Sequence, residues 1–152
     1  MKTLVYIILF SSFLMFLSCN SNSVIENKNK EINTDYCKKN LLPNQLEIYA
    51  FHGTRQCETC KNMKANTKAT LDKYFANELN NGTIIFQIVD VDDVKNEKLA
   101  EKFQATGTAL MLNKIVNGKD SIIDWSDFAF DKANDANTYN SELKTKLETV
   151  LK

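Results

Sequence analysis

The stretch FHGTRQCETCKNMK, residues 51–64, carries two cysteines in a C-x-x-C spacing, Cys57 and Cys60. The run QLEIYAF over 45–51 mixes apolar, aromatic and β-branched residues directly before it, and this pattern predicts a strand. After Cys57, apolar side chains recur at helical spacing and predict a helix over 58–79. The cysteine pair therefore falls at the junction between a strand and the helix that follows it.

The rest of the chain predicts three more strands and two more helices. A strongly apolar run predicts a strand covered on both faces, and Asn117-Gly118 between two further runs predicts a hairpin. The predicted strands are 83–91, 108–116 and 120–125, the helices are 92–105 and 138–151, and 126–137 is predicted to be irregular. The order β-α-β-α-β-β-α makes the first two strands parallel and ends in an antiparallel hairpin. We therefore expect an α/β fold with a four-stranded mixed sheet and helices on both faces.

The N-terminal segment has the pattern of an export signal. Lys2 is followed by an apolar stretch from 4 to 17, which has the length of a signal-peptide core and is short for a membrane span. It ends in Ser18-Cys19, which resembles a bacterial lipobox; an ordinary secretory signal with an incidental cysteine is the alternative. We predict a signal peptide over 1–18, a lipid-attachment cysteine and flexible tether over 19–44, and a domain over 45–152. The expected location is a bacterial membrane, with the protein exported and facing the periplasm.

Charge and motif content narrow the classes of partner and cofactor. Nineteen basic and nineteen acidic side chains give no net charge, so nothing indicates nucleic-acid binding, and the expected membrane contact is the lipid on Cys19. The chain has no G-x-G-x-x-G fingerprint for a dinucleotide. We predict no cofactor.

The position of the cysteine pair favours redox chemistry. Unpaired N–H groups and the helix dipole at a helix N-terminus favour a thiolate at Cys57, and the thiolate is the form that attacks a disulfide. Cys60, one turn further on, can then close on the mixed disulfide. Disulfides also persist outside the cytosol. The pattern predicts that Cys57 attacks, that Cys60 resolves, and that the partners are protein or small-molecule thiols and disulfides.

At these residues the chain resembles the thioredoxin family. CETCKNM is similar to the active-site run of the family, and LAEKFQATGTALMLNKIVNGK, 99–119, is similar to the stretch that leads into its terminal hairpin. More narrowly, FHGTRQCETC with GTALML resembles small bacterial thioredoxin-like proteins labelled nitrophenyl-compound nitroreductase subunits of the ArsF type. The resemblance implies a minimal thioredoxin-like fold and thiol–disulfide oxidoreductase activity.

The resemblance also implies which residues lie around the pair, and it marks departures from the family. The possible active-site neighbours are His52, Arg55, Glu58, Lys61, Thr108 and Ala109. Ala109 stands where the family has a cis-proline; because a non-proline cis bond costs about 2.5–4 kcal/mol, we predict a trans bond. Glu58 disfavours a thiolate at Cys57, whereas Arg55 favours it. The acid that many thioredoxins bury beneath the site has no counterpart here.

Two other functions of the pair stay open. It could be a structural disulfide, which adds little stability because its loop is small. The chain could also be a non-catalytic module that docks a partner or binds a soft metal such as Cu(I), with Cys37, Met63 or His52 completing the ligand set. Cys37 could instead be a packing residue or a partner in a mixed disulfide. Our primary prediction includes no metal.

Two further groups of residues have structural interpretations. Asp90, Asp92 and Asp93 form a carboxylate cluster at a strand-to-helix junction, which is typical of helix capping. Trp125 and the aromatic residues of DFAF, 127–130, are interpreted as packing residues.

Overall fold

The structure is a computed structural model that describes residues 44–152. The predicted signal peptide, Cys19, the tether up to 43 and Cys37 lie outside the described residues. The elements are β1 (Asn44–His52), α1 (Glu58–Tyr74), α2 (Ala76–Asn80), β2 (Ile84–Asp90), a 3₁₀ turn (Val94–Asn96), α3 (Glu97–Phe103), β3 (Ala109–Val116), β4 (Lys119–Asp124), α4 (Ser126–Lys132) and α5 (Ala136–Val150). Within this described part, no helix has the length and apolarity needed to cross a membrane.

The four strands form one mixed sheet in the order β2-β1-β3-β4. β1 is parallel to β2 and antiparallel to β3, and β3 is antiparallel to β4. His52 lies opposite Asp90, and Phe51 lies opposite Ala109. The C-terminal ends of β1 and β2 and the N-terminal end of β3 therefore lie at the same end of the sheet. This topology confirms the predicted minimal thioredoxin-like fold.

Alternating side chains of the sheet pack into two apolar layers, as the two-residue period of a strand requires. On one face, Leu46, Ile48 and Leu112 pack with buried residues of α1, α4 and α5, including Met63, Leu71, Ala129, Tyr139, Leu143 and Leu147. On the other face, Tyr49, Phe51 and Met111 pack with Phe103 of α3. The predicted helices on both faces are confirmed.

Two turns have the left-handed backbone that their residues favour. Gly82 has φ +79° just after α2, and Asn117 and Gly118 have φ +52° and +75° between β3 and β4. Glycine and asparagine adopt this region at the lowest cost. The hairpin predicted from Asn117-Gly118 is confirmed.

Three predicted elements differ from the structure. The helix predicted over 58–79 breaks at Phe75, whose φ of −128° is not helical and whose side chain is buried in the core. The helix predicted over 92–105 begins later, because 94–96 form a 3₁₀ turn capped by Asp93. The segment 126–137 is not irregular, since it contains α4.

The start of α4 is fixed by contacts that the sequence pattern did not indicate. The Asp124 carboxylate accepts from the Ser126 N–H at 2.8 Å, and the Trp125 N–H donates to the Leu110 carbonyl at 2.9 Å. Ala129 is fully buried against the core. α4 therefore begins next to the N-terminal end of β3, which lies beside the C-terminal end of β1.

Candidate active site

The two cysteines of the C-x-x-C motif are joined by a disulfide at the N-terminus of α1. Cys57 is the N-cap residue, with extended backbone, and its sulfur accepts from the Cys60 N–H at 3.1 Å. The sulfur of Cys57 therefore takes the place that a serine or aspartate oxygen usually occupies at a helix start. An N–H donor at this place stabilises negative charge on the sulfur when the bond is reduced.

The two sulfur-bearing residues differ in their access to solvent. Cys57 is exposed, whereas Cys60 is only 7% exposed. A large disulfide substrate can therefore reach Cys57 but not Cys60. This asymmetry supports the assignment of Cys57 as the residue that attacks and Cys60 as the residue that resolves.

A chain of polar side chains links the loop before Cys57 to β1 and α1. The Lys64 ammonium donates to the Gln56 side-chain carbonyl, and the Gln56 side-chain nitrogen lies 3.1 Å from His52 Nδ1. His52 Nδ1 is also 2.9 Å from the Gly53 carbonyl. Partial burial lowers the pKa of Lys64, and the nearby Asp90 carboxylate opposes that decrease. Gln56, which directly precedes Cys57, is thus held from two sides.

Asp92 holds the same loop from the end of β2. Its carboxylate accepts from the Thr54 N–H at 2.7 Å, and this bond keeps the pKa of Asp92 below its usual range. A Cβ at Gly53 would lie 3.3 Å from the same carboxylate oxygen, so a larger residue there would crowd this contact. Asp92 therefore contacts the first two residues of the loop, Gly53 and Thr54.

The structure corrects the interpretation of the aspartate cluster in part. Asp93 caps the 3₁₀ turn through the Lys95 N–H at 3.1 Å, as expected. Asp90 accepts from the Asp92 N–H at 3.0 Å, within the turn. Asp92, however, is not a helix cap; its carboxylate binds the active-site loop, 38 positions back in the chain.

Asn134, in the connection between α4 and α5, contacts the first turn of α1. Its side-chain oxygen accepts from Asn62 at 3.2 Å, and its side-chain nitrogen donates to the Thr59 hydroxyl at 3.3 Å. Thr59 lies between the two cysteines. The turn that carries the disulfide is therefore bound to the C-terminal part of the fold as well as to the sheet.

The N-terminal end of β3 lies beside the end of β1, which leads into the loop before the two cysteines. Ala109 lies opposite Phe51, and the peptide bonds of the described residues, that of Ala109 included, are all trans, as predicted. The Leu110 N–H donates to the Ser126 hydroxyl at 3.2 Å. Thr108 and Ala109 are half-buried at this end.

The other predicted neighbours differ in their exposure to solvent. Arg55, Glu58 and Lys61 are exposed, and His52 is half-buried at the end of β1. Glu58 lies in the first turn of α1, where a carboxylate interacts favourably with the helix dipole. Of the six predicted neighbours, His52 is the one whose side chain enters the hydrogen-bonded chain with Gln56.

The residues considered for a soft metal do not form one cluster in the described range. Over 44–152, no group of three or more His, Cys, Asp or Glu side chains is placed to hold a metal ion. Met63 is fully buried in the core layer of α1. Cys37 lies outside the described residues.

Four residues of this site were not predicted from the sequence. They are Gln56, Lys64, Asp92 in its loop-binding role, and Asn134. Lys64 had one detectable signal, because residues four apart share a helix face and it follows Cys60 by four. Gln56 had only its position next to Cys57. The contact of Asn134 depends on the turn after α4, which the sequence pattern did not predict.

Comparison with known proteins gives a structural neighbour and no family. No family model matches the chain, and no curated protein matches it. One solved structure that it resembles is described as "Structure of a malarial protein", at 20% identity, covering 58% of this chain and 94% of that one, with a TM-score of 0.36. What the chain's own structure shows is a minimal thioredoxin-like fold with a C-x-x-C disulfide.

Proposed function

We propose that this protein is a thiol–disulfide oxidoreductase whose working groups are Cys57 and Cys60. The observation that carries the proposal is the disulfide at the N-terminus of α1, with one exposed and one buried member. A purely structural disulfide gains nothing from an exposed sulfur that accepts a hydrogen bond from a helix N–H group. An exchange centre needs both features, because the attacking thiolate must be accessible and stabilised.

The reaction proceeds in two exchanges. The Cys57 thiolate attacks one sulfur of a substrate disulfide, forms a mixed disulfide, and releases the other sulfur as a thiolate. The Cys60 thiolate then attacks the Cys57 sulfur and releases the second substrate thiolate. Two electrons pass from the pair to the substrate, and the two protons lost by the cysteines are taken up by the product thiols. A dithiol reductant restores the pair; the reverse sequence oxidises a substrate dithiol.

The proposal includes the address and the family predicted from the sequence. We place the protein among the small bacterial thioredoxin-like proteins of the ArsF type, exported and attached to a membrane through a lipid on Cys19. Ser18-Cys19 at the end of an apolar segment supports this address. The oxidising environment outside the cytosol would keep the pair available as a disulfide.

Turnover of a model disulfide tests the activity. The full chain with Cys19→Ser and Cys37→Ser retains only Cys57 and Cys60 as thiols. With a dithiol reductant, this protein should accelerate reduction of a protein disulfide, and the further change Cys57→Ser should abolish the acceleration. Equal rates with and without Cys57 would remove the proposed activity.

A further inference from the structure

The hydrogen-bonded chain of Lys64, Gln56 and His52 contains a lysine that the exchange reaction itself does not require. Lys64 is half-buried, and this partial burial disfavours its charged form, which lowers the pKa of Lys64. Within residues 44–152 its ammonium has no ion-pair partner within 4.0 Å. It donates instead to Gln56, the residue next to Cys57. The other lysines of α1 differ, since Lys61 is exposed and Lys68 pairs with Asp72 at the surface.

The helix geometry directs Lys64 toward the cysteines. Lys64 follows Cys60 by four positions in α1, so the two residues share one face of the helix. Side chains on a helix lean toward its N-terminus, which is the end that carries the disulfide. The hydrogen bond to Gln56 shows that the Lys64 head group reaches this end.

We propose that Lys64 is a positioning residue of the redox pair: it fixes the loop before Cys57 through Gln56 and places a positive charge at the end of α1 that carries the pair. The charge stabilises the thiolate of the reduced form. Asp90 is the acidic group that acts against it, and Lys61 is the second cation close to it. This inference deepens the proposed function, because it concerns the redox poise of the same site.

Equilibration with glutathione measures the effect. The reduced pair gives two electrons and two protons to glutathione disulfide, forming the Cys57–Cys60 disulfide and two molecules of reduced glutathione. The full chain with Cys19→Ser and Cys37→Ser is used for every variant, at pH 8, where a helix N-terminal thiol is largely ionised. Lys64→Met should shift the equilibrium constant about three- to tenfold toward the disulfide, and a tenfold shift corresponds to about 30 mV.

Two matched variants separate the charge from packing. Lys64→Arg keeps a cationic donor and should remain within about twofold of the parent protein, which is a small change on this scale. Lys68→Met removes an exposed lysine one turn further along α1 and should also leave the constant within that range. Lys64→Gln gives a second neutral variant, should Lys64→Met fail to fold, and should show the same shift.

The inference is wrong if Lys64→Met and Lys64→Gln both keep the equilibrium constant of the parent protein. It is also wrong if Lys64→Arg or Lys68→Met shifts this constant as much as the two neutral variants do. This readout does not depend on catalysis. If the parent protein fails to turn over model disulfides, the proposed function fails, while the equilibrium still measures what Lys64 does to the pair.

Discussion

The difference between Cys57 and Cys60 arises from one helical turn. The N-cap position leaves the first cysteine at the surface, with its sulfur against a backbone N–H. Three positions later, within the first turn of α1, the second cysteine is buried. The different exposure of the two cysteines, on which their proposed roles depend, therefore follows from where the helix begins.

At the same scale, Asp92→Asn tests the bond that holds the loop. The Thr54 N–H lowers the pKa of Asp92 in the folded protein, so the carboxylate stabilises the fold above its unfolded pKa of about 3.9, and this contribution disappears as the pH falls through the lower folded value. We expect Asp92→Asn to lower the melting temperature at pH 7 and the difference from wild type to narrow below about pH 4.

Thermal unfolding between pH 2 and 7 measures this difference. Asp127→Asn, at an exposed aspartate in the first turn of α4, is the matched control and should show a smaller change at pH 7. A difference for Asp92→Asn that stays constant over the whole range would contradict the account.

At the scale of elements, a buried hydrogen bond joins α1 to α5. The Thr67 hydroxyl donates its proton to the Met63 carbonyl at 2.8 Å, so the Tyr139 hydroxyl, 2.6 Å away, must be the donor in their contact. Both side chains are fully buried. Burial raises the pKa of Tyr139 to about 12, which keeps the phenol a neutral donor at neutral pH.

Removing either partner should have unequal effects on the free energy of unfolding. Tyr139→Phe deletes the donor and leaves an oxygen that still has one partner, so we expect a loss of about 1 kcal/mol. Thr67→Val leaves the Tyr139 hydroxyl buried without a partner and should cost about 1–3 kcal/mol.

Urea unfolding of the two variants and of the double variant gives the coupling between them. The double variant should lose less than the sum of the single losses, because both single changes break the same bond. Strictly additive losses would show that the two hydroxyls do not interact.

The same scale explains what the sequence could and could not predict. The sheet and the place of the cysteine pair followed from long apolar runs and from Asn117-Gly118, because these signals are local. The break at Phe75 was missed because an aromatic residue fits the helical pattern and only the core decides its backbone. α4 was missed because it is short and is fixed by a contact with β3. The proposed role of Lys64 depends on the position of its ammonium group, which the spacing of residues in the sequence does not determine.

At the scale of the whole molecule, the proposed address determines which partners the site can meet. A lipid on Cys19 and the segment 19–44 would hold the domain near a bilayer, within reach of membrane-bound thiols and disulfides. One acyl chain binds a membrane weakly, whereas two or more hold firmly. In the proposed address, the number of acyl chains on Cys19 would therefore decide whether the protein stays on the membrane.

Cell fractionation with a fatty-acid analogue tests this address. Wild-type protein should incorporate the label, lose residues 1–18 and remain with membranes after a salt wash, whereas Cys19→Ala should take up no label. Cys37→Ala is the matched control and should behave as wild type. The lipid anchor would be ruled out if the wild-type chain took up no label and the same fraction of it stayed with membranes as for Cys19→Ala.

The most direct test of the central claim is to trap the mixed disulfide. In the full chain with Cys19→Ser and Cys37→Ser, the Cys57 thiolate of the reduced Cys60→Ser variant should attack glutathione disulfide, form a mixed disulfide with one glutathione and release the other as reduced glutathione. Mass spectrometry detects this mixed disulfide as one bound glutathione per chain. The matched Cys57→Ser variant should react at least about tenfold more slowly, because its thiol is buried and lacks the helix N-cap position. Equal rates for the two variants, or faster reaction at Cys60, would contradict the account.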